Sequence, residues 1–327
     1  MQDQLSLQQI YVPIEAAITD VRQVVLDMWH EVTALVSAQS ARNKTQQGEG
    51  KLLRPALCLL SAGVLGRQQL DSLARLAAAY ELMHIASLTH DDVVDHAALR
   101  RGQESLNRQW DNHAAILGGD YLVARALELL TEYESHALIS SALQAMRTMA
   151  EGELRYYGHS PADAKAEDCI ALAQSKTASL FAAACTAPAL IVSPKDRQAM
   201  HQFGIGLGIA FQLLDDLLDL TQPAAVLGKP ACGDITESKH TLPLHLLYRA
   251  LNPAEQRQLA AMAGHTLSEK EQAWVREAIV KLEVDKETRS EAEQYVHQAI
   301  AAIAPLPDST FKTSMTALAT FVLVRQA

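Results

Sequence analysis

Aromatic residues make up only 5% of the 327 positions, and the chain carries just 11 prolines and 15 glycines. No stretch of useful length alternates apolar with polar residues, so no sheet is expected. Alanine and leucine fill the space instead, a composition that favours helices throughout. Cysteine is scarce too. Cys58, Cys169, Cys185 and Cys232 lack metal-site spacing and sit in apolar or loop contexts, which reads as reduced thiols in a cytoplasmic protein. Positive charge is in deficit, with a net charge of −10, and this excludes non-specific nucleic-acid binding. The start "MQDQLSLQQIYVP" has neither a basic head nor an apolar core, so no signal peptide is expected. There is no fixed-period repeat, and no linker is long or polar enough to divide the chain, so residues 1–327 read as a single domain.

What is present is helical periodicity almost from end to end. Breaks fall at "NKTQQGEG" (43–50), "YYGHSPAD" (156–163), "VSPKD" (192–196), "TQPAAVLGKPACGD" (221–234) and "APLPDS" (304–309). Asn252-Pro253 with Glu255, and Ser268 with Glu271, carry the signals of helix starts. The implied fold class is all-α, one large bundle of helices around a buried central set. Two stretches, roughly 69–91 and 197–220, are apolar on nearly every face, which marks interior helices. The run "FGIGLGIAFQLLDDLLDL" (203–220) is apolar enough to suggest a membrane helix, but its three aspartates argue against one and no transmembrane segment is expected.

Both interior helices end alike, in "DDVVD" (91–95) and "DDLLD" (215–219). Positions i and i+4 share a helix face, so Asp91 pairs with Asp95 and Asp215 with Asp219. A lone DDxxD is commonly just a charged helix end. Two copies, each closing an apolar helix, would repel themselves unless cations intervene. Mg²⁺ prefers oxygen ligands, typically one or two carboxylates completed by waters and phosphate oxygens. Cations also lie close by: Lys51 and Arg54 in "GEGKLLRP", Arg100 and Arg101 in "RRG", Lys176 before Thr177, and Lys229 and Lys239 in "LGKPACGDITESKHTLP". Each alone reads as a solvated or charge-compensating residue. Together, beside acid clusters in an acidic chain, they form a diphosphate clamp.

The pieces "GKLLRP", "ELMHIASLTHDDVVDHAALRRGQESLN", "GGDYLVARAL", "EGEL", "SKTASLFAAAC", "FQLLDDLLDL" and "LGKPACGDITESKHTLPL" resemble, in order, the motifs of the trans-isoprenyl diphosphate synthases, or polyprenyl synthetases. The ending "ATFVLVRQA" is similar as well. The resemblance implies an all-α fold with a central cavity, a homodimer, and head-to-tail condensation of isopentenyl diphosphate onto an allylic diphosphate. It implies that Lys51, Arg54, His84 and Arg101 bind isopentenyl diphosphate. Asp91, Asp95 and Asp215 would ligate Mg²⁺, with Asp92, Asp216 and Asp219 completing or orienting the shells. Arg100, Lys176, Lys229 and Lys239 would hold the allylic diphosphate, and Thr177 and Gln212 would face the developing cation. Such chemistry needs no nucleophilic serine or cysteine: charge stabilisation and positioning carry it.

The growing tail would run down the helix before "DDVVD". Ala86 lies about 7.5 Å below Asp91, with Ser87 beside it and Met83 below; Tyr80 follows at about 16 Å, as a floor or as ordinary core. Small residues at Ala86 and Ser87 imply a product of geranylgeranyl length or longer. The chain departs from the family at "GEGK", at Tyr156 and at Pro188. Four alternatives remain open. A class I terpene cyclase or a head-to-head synthase would not need Lys51, Arg54 and His84. A non-catalytic subunit should have lost aspartates. A catalytic subunit that needs a smaller partner would keep them all.

Overall fold

Helices begin where capping chemistry allows. The computed structural model describes residues 5–37, 50–97, 99–100, 103–156 and 165–325; Arg101 and the side chains of Arg100 and Tyr156 lie outside the described residues. Asn252 accepts from the amides of Ala254 and Glu255, and Ser268 from that of Glu271, each within a complete capping box as the sequence suggests. Pro13, Pro194, Pro243 and Pro253 stand in first turns, where a missing N–H costs nothing.

The helices are α1 (Leu7–Tyr11), α2 (Glu15–Ser37), α3 (Leu53–Val64), α4 (Ala74–Val94), α5 (Leu106–Gln109), α6 (Asn112–Thr131), α7 (His136–Tyr156), α8 (Ala166–Ala173), α9 (Ser179–Val192), α10 (Arg197–Thr221), α11 (Ala224–Leu227), α12 (Gly233–Thr236), α13 (Leu242–Ala250), α14 (Pro253–Ala260), α15 (Glu269–Lys281), α16 (Val284–Ile303) and α17 (Thr310–Val324). Sheet among the described residues is confined to two-residue strands, β1 (Leu99–Arg100) and β2 (Gln103–Glu104), paired antiparallel just after the first acid cluster. The fold is all-α, as expected.

The expected interior helices correspond to α4 and α10, but the structure adds two more. In α3 every residue after Leu53 is buried, and most of α9 is buried as well. α9 is the hub, packed against α3, α4, α7 and α10. Among the described residues α4 and α10 share no extended face of their own; each packs against α9. α9 continues α8 through a π-helical stretch, Gln174–Ala178. The whole run Ala166–Val192 is long and apolar enough to cross a membrane, and 67% of its most apolar window is buried inside the protein. The stretch 203–220, which attracts that reading in the sequence, lies within α10.

The glycines of α10 explain its close crossing with α9. A Cβ on Gly204 would lie 2.4 Å from the Cα of Ala182, and one on Gly208 2.4 Å from the Cα of Ala178. Only glycine lets the two backbones approach so nearly.

Candidate active site

Both acid clusters occupy helix C-terminal turns, where the helix dipole is negative and acids are disfavoured. Asp91 and Asp92 lie in the last turn of α4 and Asp95 caps it. The helix closes with His96 in the left-handed region (φ 50°) and the amide of Ala97 on the carbonyl of Asp92 at 3.0 Å. Asp215, Asp216 and Asp219 lie in the last two turns of α10. Like charge, a hostile dipole and burial of Asp92, Asp216 and Asp219 all press for cations.

The structure supplies cations from distant segments. Lys239 lies 3.1 Å from Asp95 and also pairs with Glu237. Partial burial works against its ammonium, but Asp234, Asp95 and Glu237 raise it well above the ordinary lysine value. The same charge acts on Asp216 of α10, so Lys239 binds the first cluster and lies within electrostatic reach of the second. Lys229 lies 2.9 Å from Asp219, whose other oxygen accepts the amide of Asp234 at 3.0 Å. Lys176 sits in the π-helical stretch and reaches Glu153 of α7 at 2.5 Å. Burial lowers its ammonium, and the carboxylates of Asp91 and Glu153 more than reverse that. Such π-turns carry one extra residue and re-aim side chains; here Lys176 turns toward the first cluster.

Thr177 follows, donating to Gln212 Oε1, while Gln212 Nε2 donates to Asp216 at 2.6 Å. This relay runs from the π-stretch to the second cluster. Asp216 is raised well above the carboxylate range, first by burial and then by Asp215 and Asp219, with the Gln212 bond opposing.

Arg54 is buried in α3, its guanidinium 4.7 Å from the centroid of Phe181. The Phe181 and Phe211 rings lie 5.4 Å apart, and Arg325 stacks on Phe211 at 3.8 Å while pairing with Asp215 at 3.0 Å. This ladder runs from buried Arg54 on α3 to exposed Asp215 in the second cluster. Lys51 lies just before α3 and is exposed; His84 is half-buried on α4. His84, Ser87, Leu88 and Asp91, all partly accessible, lie along one face of α4 that continues to its C-cap Asp95. Ala86 and Met83 are buried beside it. Tyr80, one turn below His84, is wholly buried and its hydroxyl lacks a partner.

Sequence reasoning missed Glu153, Asp234 and Arg325. Asp234 is buried, one carboxylate oxygen lacks a partner, and burial with Asp219 and Asp216 raises it far above the carboxylate range. The "EGEL" and "GDITESK" motifs contain the first two, but no spacing rule pairs them with lysines elsewhere. Arg325 lies 110 residues from Asp215 in sequence.

An all-α bundle with two carboxylate clusters ending interior helices and lysines gathered about them has the architecture of a diphosphate-handling prenyltransferase. The polyprenyl synthetase family profile matches residues 37–282. An all-trans-nonaprenyl-diphosphate synthase (geranyl-diphosphate specific) from Rhodobacter capsulatus is 32% identical over 97% of this chain and 98% of its own. Octaprenyl diphosphate synthase of Escherichia coli is 34% identical over 85% of this chain and 87% of its own. A crystal structure of polyprenyl synthase from Caulobacter crescentus, complexed with calcium and isoprenyl diphosphate, superposes over 100% of both chains with a TM-score of 0.88 at 32% identity. The chain belongs to the polyprenyl synthetase family. It is an enzyme, a trans-prenyl diphosphate synthase.

Proposed function

We propose that this enzyme joins isopentenyl diphosphate head-to-tail to an allylic diphosphate and repeats the step to a long all-trans product. The observation that carries this reading is Lys239, bound to Asp95 at the end of α4 while its charge acts on Asp216 of α10 and on Asp234. In this reading a diphosphate lies between the two clusters, held by Lys176, Lys229, Lys239 and Arg100. Lys51, Arg54, His84 and Arg101 bind isopentenyl diphosphate. Arg54 is the best prepared of these, already desolvated against Phe181.

The donor set fits a hard divalent ion: every candidate ligand is a carboxylate, and Asp234 keeps a buried oxygen without a partner. Among the described residues no three His, Cys, Asp or Glu side chains converge to hold an ion unaided. Asp91, Asp95 and Asp215 would therefore share Mg²⁺ with oxygens of the diphosphate. When bound there, Mg²⁺ would supply positive charge against that which builds on the diphosphate as the allylic C–O bond breaks. Thr177 and Gln212 present hydroxyl and amide oxygens toward the allylic carbon. The isopentenyl double bond attacks that carbon, a C–C bond forms, and the released diphosphate takes the proton lost from the new allylic position.

The product belongs to the long-chain class named for the relatives, octaprenyl to nonaprenyl. Ala86 and Ser87, the expected floor positions, carry small side chains, and Tyr80 packs as core. We read the chain as one domain, acting as a homodimer in the cytoplasm. The test is to incubate purified protein with Mg²⁺, isopentenyl diphosphate and graded allylic primers, then size the products. Long all-trans diphosphates are expected. An end product no longer than geranylgeranyl diphosphate would reject the length, and a cyclic or head-to-head product would reject the reaction. Ala86→Phe should shorten the longest product; an unchanged distribution would show that the tail runs elsewhere.

A further inference from the structure

We infer that Tyr11, on the N-terminal helix α1, is a positioning residue for the isopentenyl diphosphate clamp. This rests on the assignment of Lys51, Arg54 and His84 to that substrate. In "KLLRP" Lys51 lies just outside α3, and residue 55, four positions on, is proline, with no N–H to offer the Lys51 carbonyl. Tyr11 supplies a donor: its hydroxyl donates to Lys51 O at 2.8 Å, across 40 residues of sequence.

The turn that it holds is strained. Leu52, the N-cap of α3, is left-handed at φ 49° and ψ 40°, a conformation that non-glycine residues adopt only when their surroundings enforce it. Leu52 is buried, so that turn is locked between Tyr11 and the core, and it sets the direction in which Lys51 leaves α3.

Tyr11 is itself well anchored. A Ser6–Gln9 capping box starts α1, and Ile10 and Ile14 are buried on either side of it. Burial, then the nearby Glu81 carboxyl, push the phenol up, so it stays a neutral donor. Tyr11 thus holds the start of α3, while the Glu81 carboxyl of α4 lies within electrostatic reach of its phenol. Arg54 is steadied separately by Phe181, so loss of the Tyr11 bond falls mainly on Lys51.

The test compares full-length wild type, Tyr11→Phe and Arg54→Gln with Mg²⁺ present. Tyr11→Phe should raise the KM for isopentenyl diphosphate about fivefold to tenfold, the worth of one hydrogen bond, with kcat and the allylic KM nearly unchanged. Hydrogen exchange without substrate should quicken at the amides of Leu52 and Leu53 while the melting temperature holds. An unchanged isopentenyl KM with unchanged exchange overturns the inference. So does an equal rise in both KM values with a fallen melting temperature, which is the mark of general loosening. Arg54→Gln separates the two levels: if it leaves the isopentenyl KM unaltered, the clamp assignment itself fails, whatever Tyr11→Phe does.

Discussion

Lys239 is held by carboxylates from three segments, α4, α12 and the loop that follows it, and its charge reaches a fourth on α10. Replacing it with methionine keeps the bulk and removes the charge. Lys239→Met should lower kcat about 10²- to 10³-fold, the usual cost of losing a fixed charge aimed at a leaving group. Single-turnover rates at saturating substrates measure this; a change confined to the allylic KM would mean that Lys239 only binds. The six cluster aspartates and the lysines were legible as residues because acids seldom close apolar helices. Their pairings were not. Asp95 and Lys239 are 144 positions apart, and nothing in either motif names the other. Asp234 and Arg325 escaped for the same reason, since only the folded backbone makes them neighbours.

At the scale of elements, α4 and α10 stood out because they are apolar on every face and end in acid. α3 and α9 did not: short apolar helices with small residues look alike whether they lie at the centre or near the rim. The α9–α10 crossing depends on Gly204 and Gly208, which in sequence suggest a membrane segment. Gly208→Ala puts a methyl carbon 2.4 Å from the Cα of Ala178 and 3.1 Å from the Cβ of Phe181, so the helices must part. A loss of about 1–3 kcal/mol is expected from such overpacking, read from the urea midpoint. Gln212 is one turn on from Gly208, so its bond to Thr177 should stretch and kcat should fall with stability. Stability lost without any change in kcat would mean that the relay tolerates the displacement.

Across the molecule one buried cluster runs from Ile10 to Val322, and all four cysteines lie in the interior. Burial pushes the thiols of Cys169, Cys185 and Cys232 up to about 12 and raises Cys58 as well. The native enzyme should therefore resist a thiol-titrating disulfide reagent at neutral pH and yield four equivalents once unfolded, because the reactive thiolate is both scarce and shielded. Rapid modification of the native enzyme would reveal opening motions that expose the core.

The π-helical stretch Gln174–Ala178 holds one residue more than a regular turn would. An in-frame loss of the codon for Ser175 would therefore be repaired locally, the chain relaxing into uninterrupted α-helix with α9 still in place. Lys176 would then swing by about a quarter of a revolution, away from Glu153 and Asp91. A lineage could thus keep a well-packed scaffold while silencing its chemistry in a single genetic step.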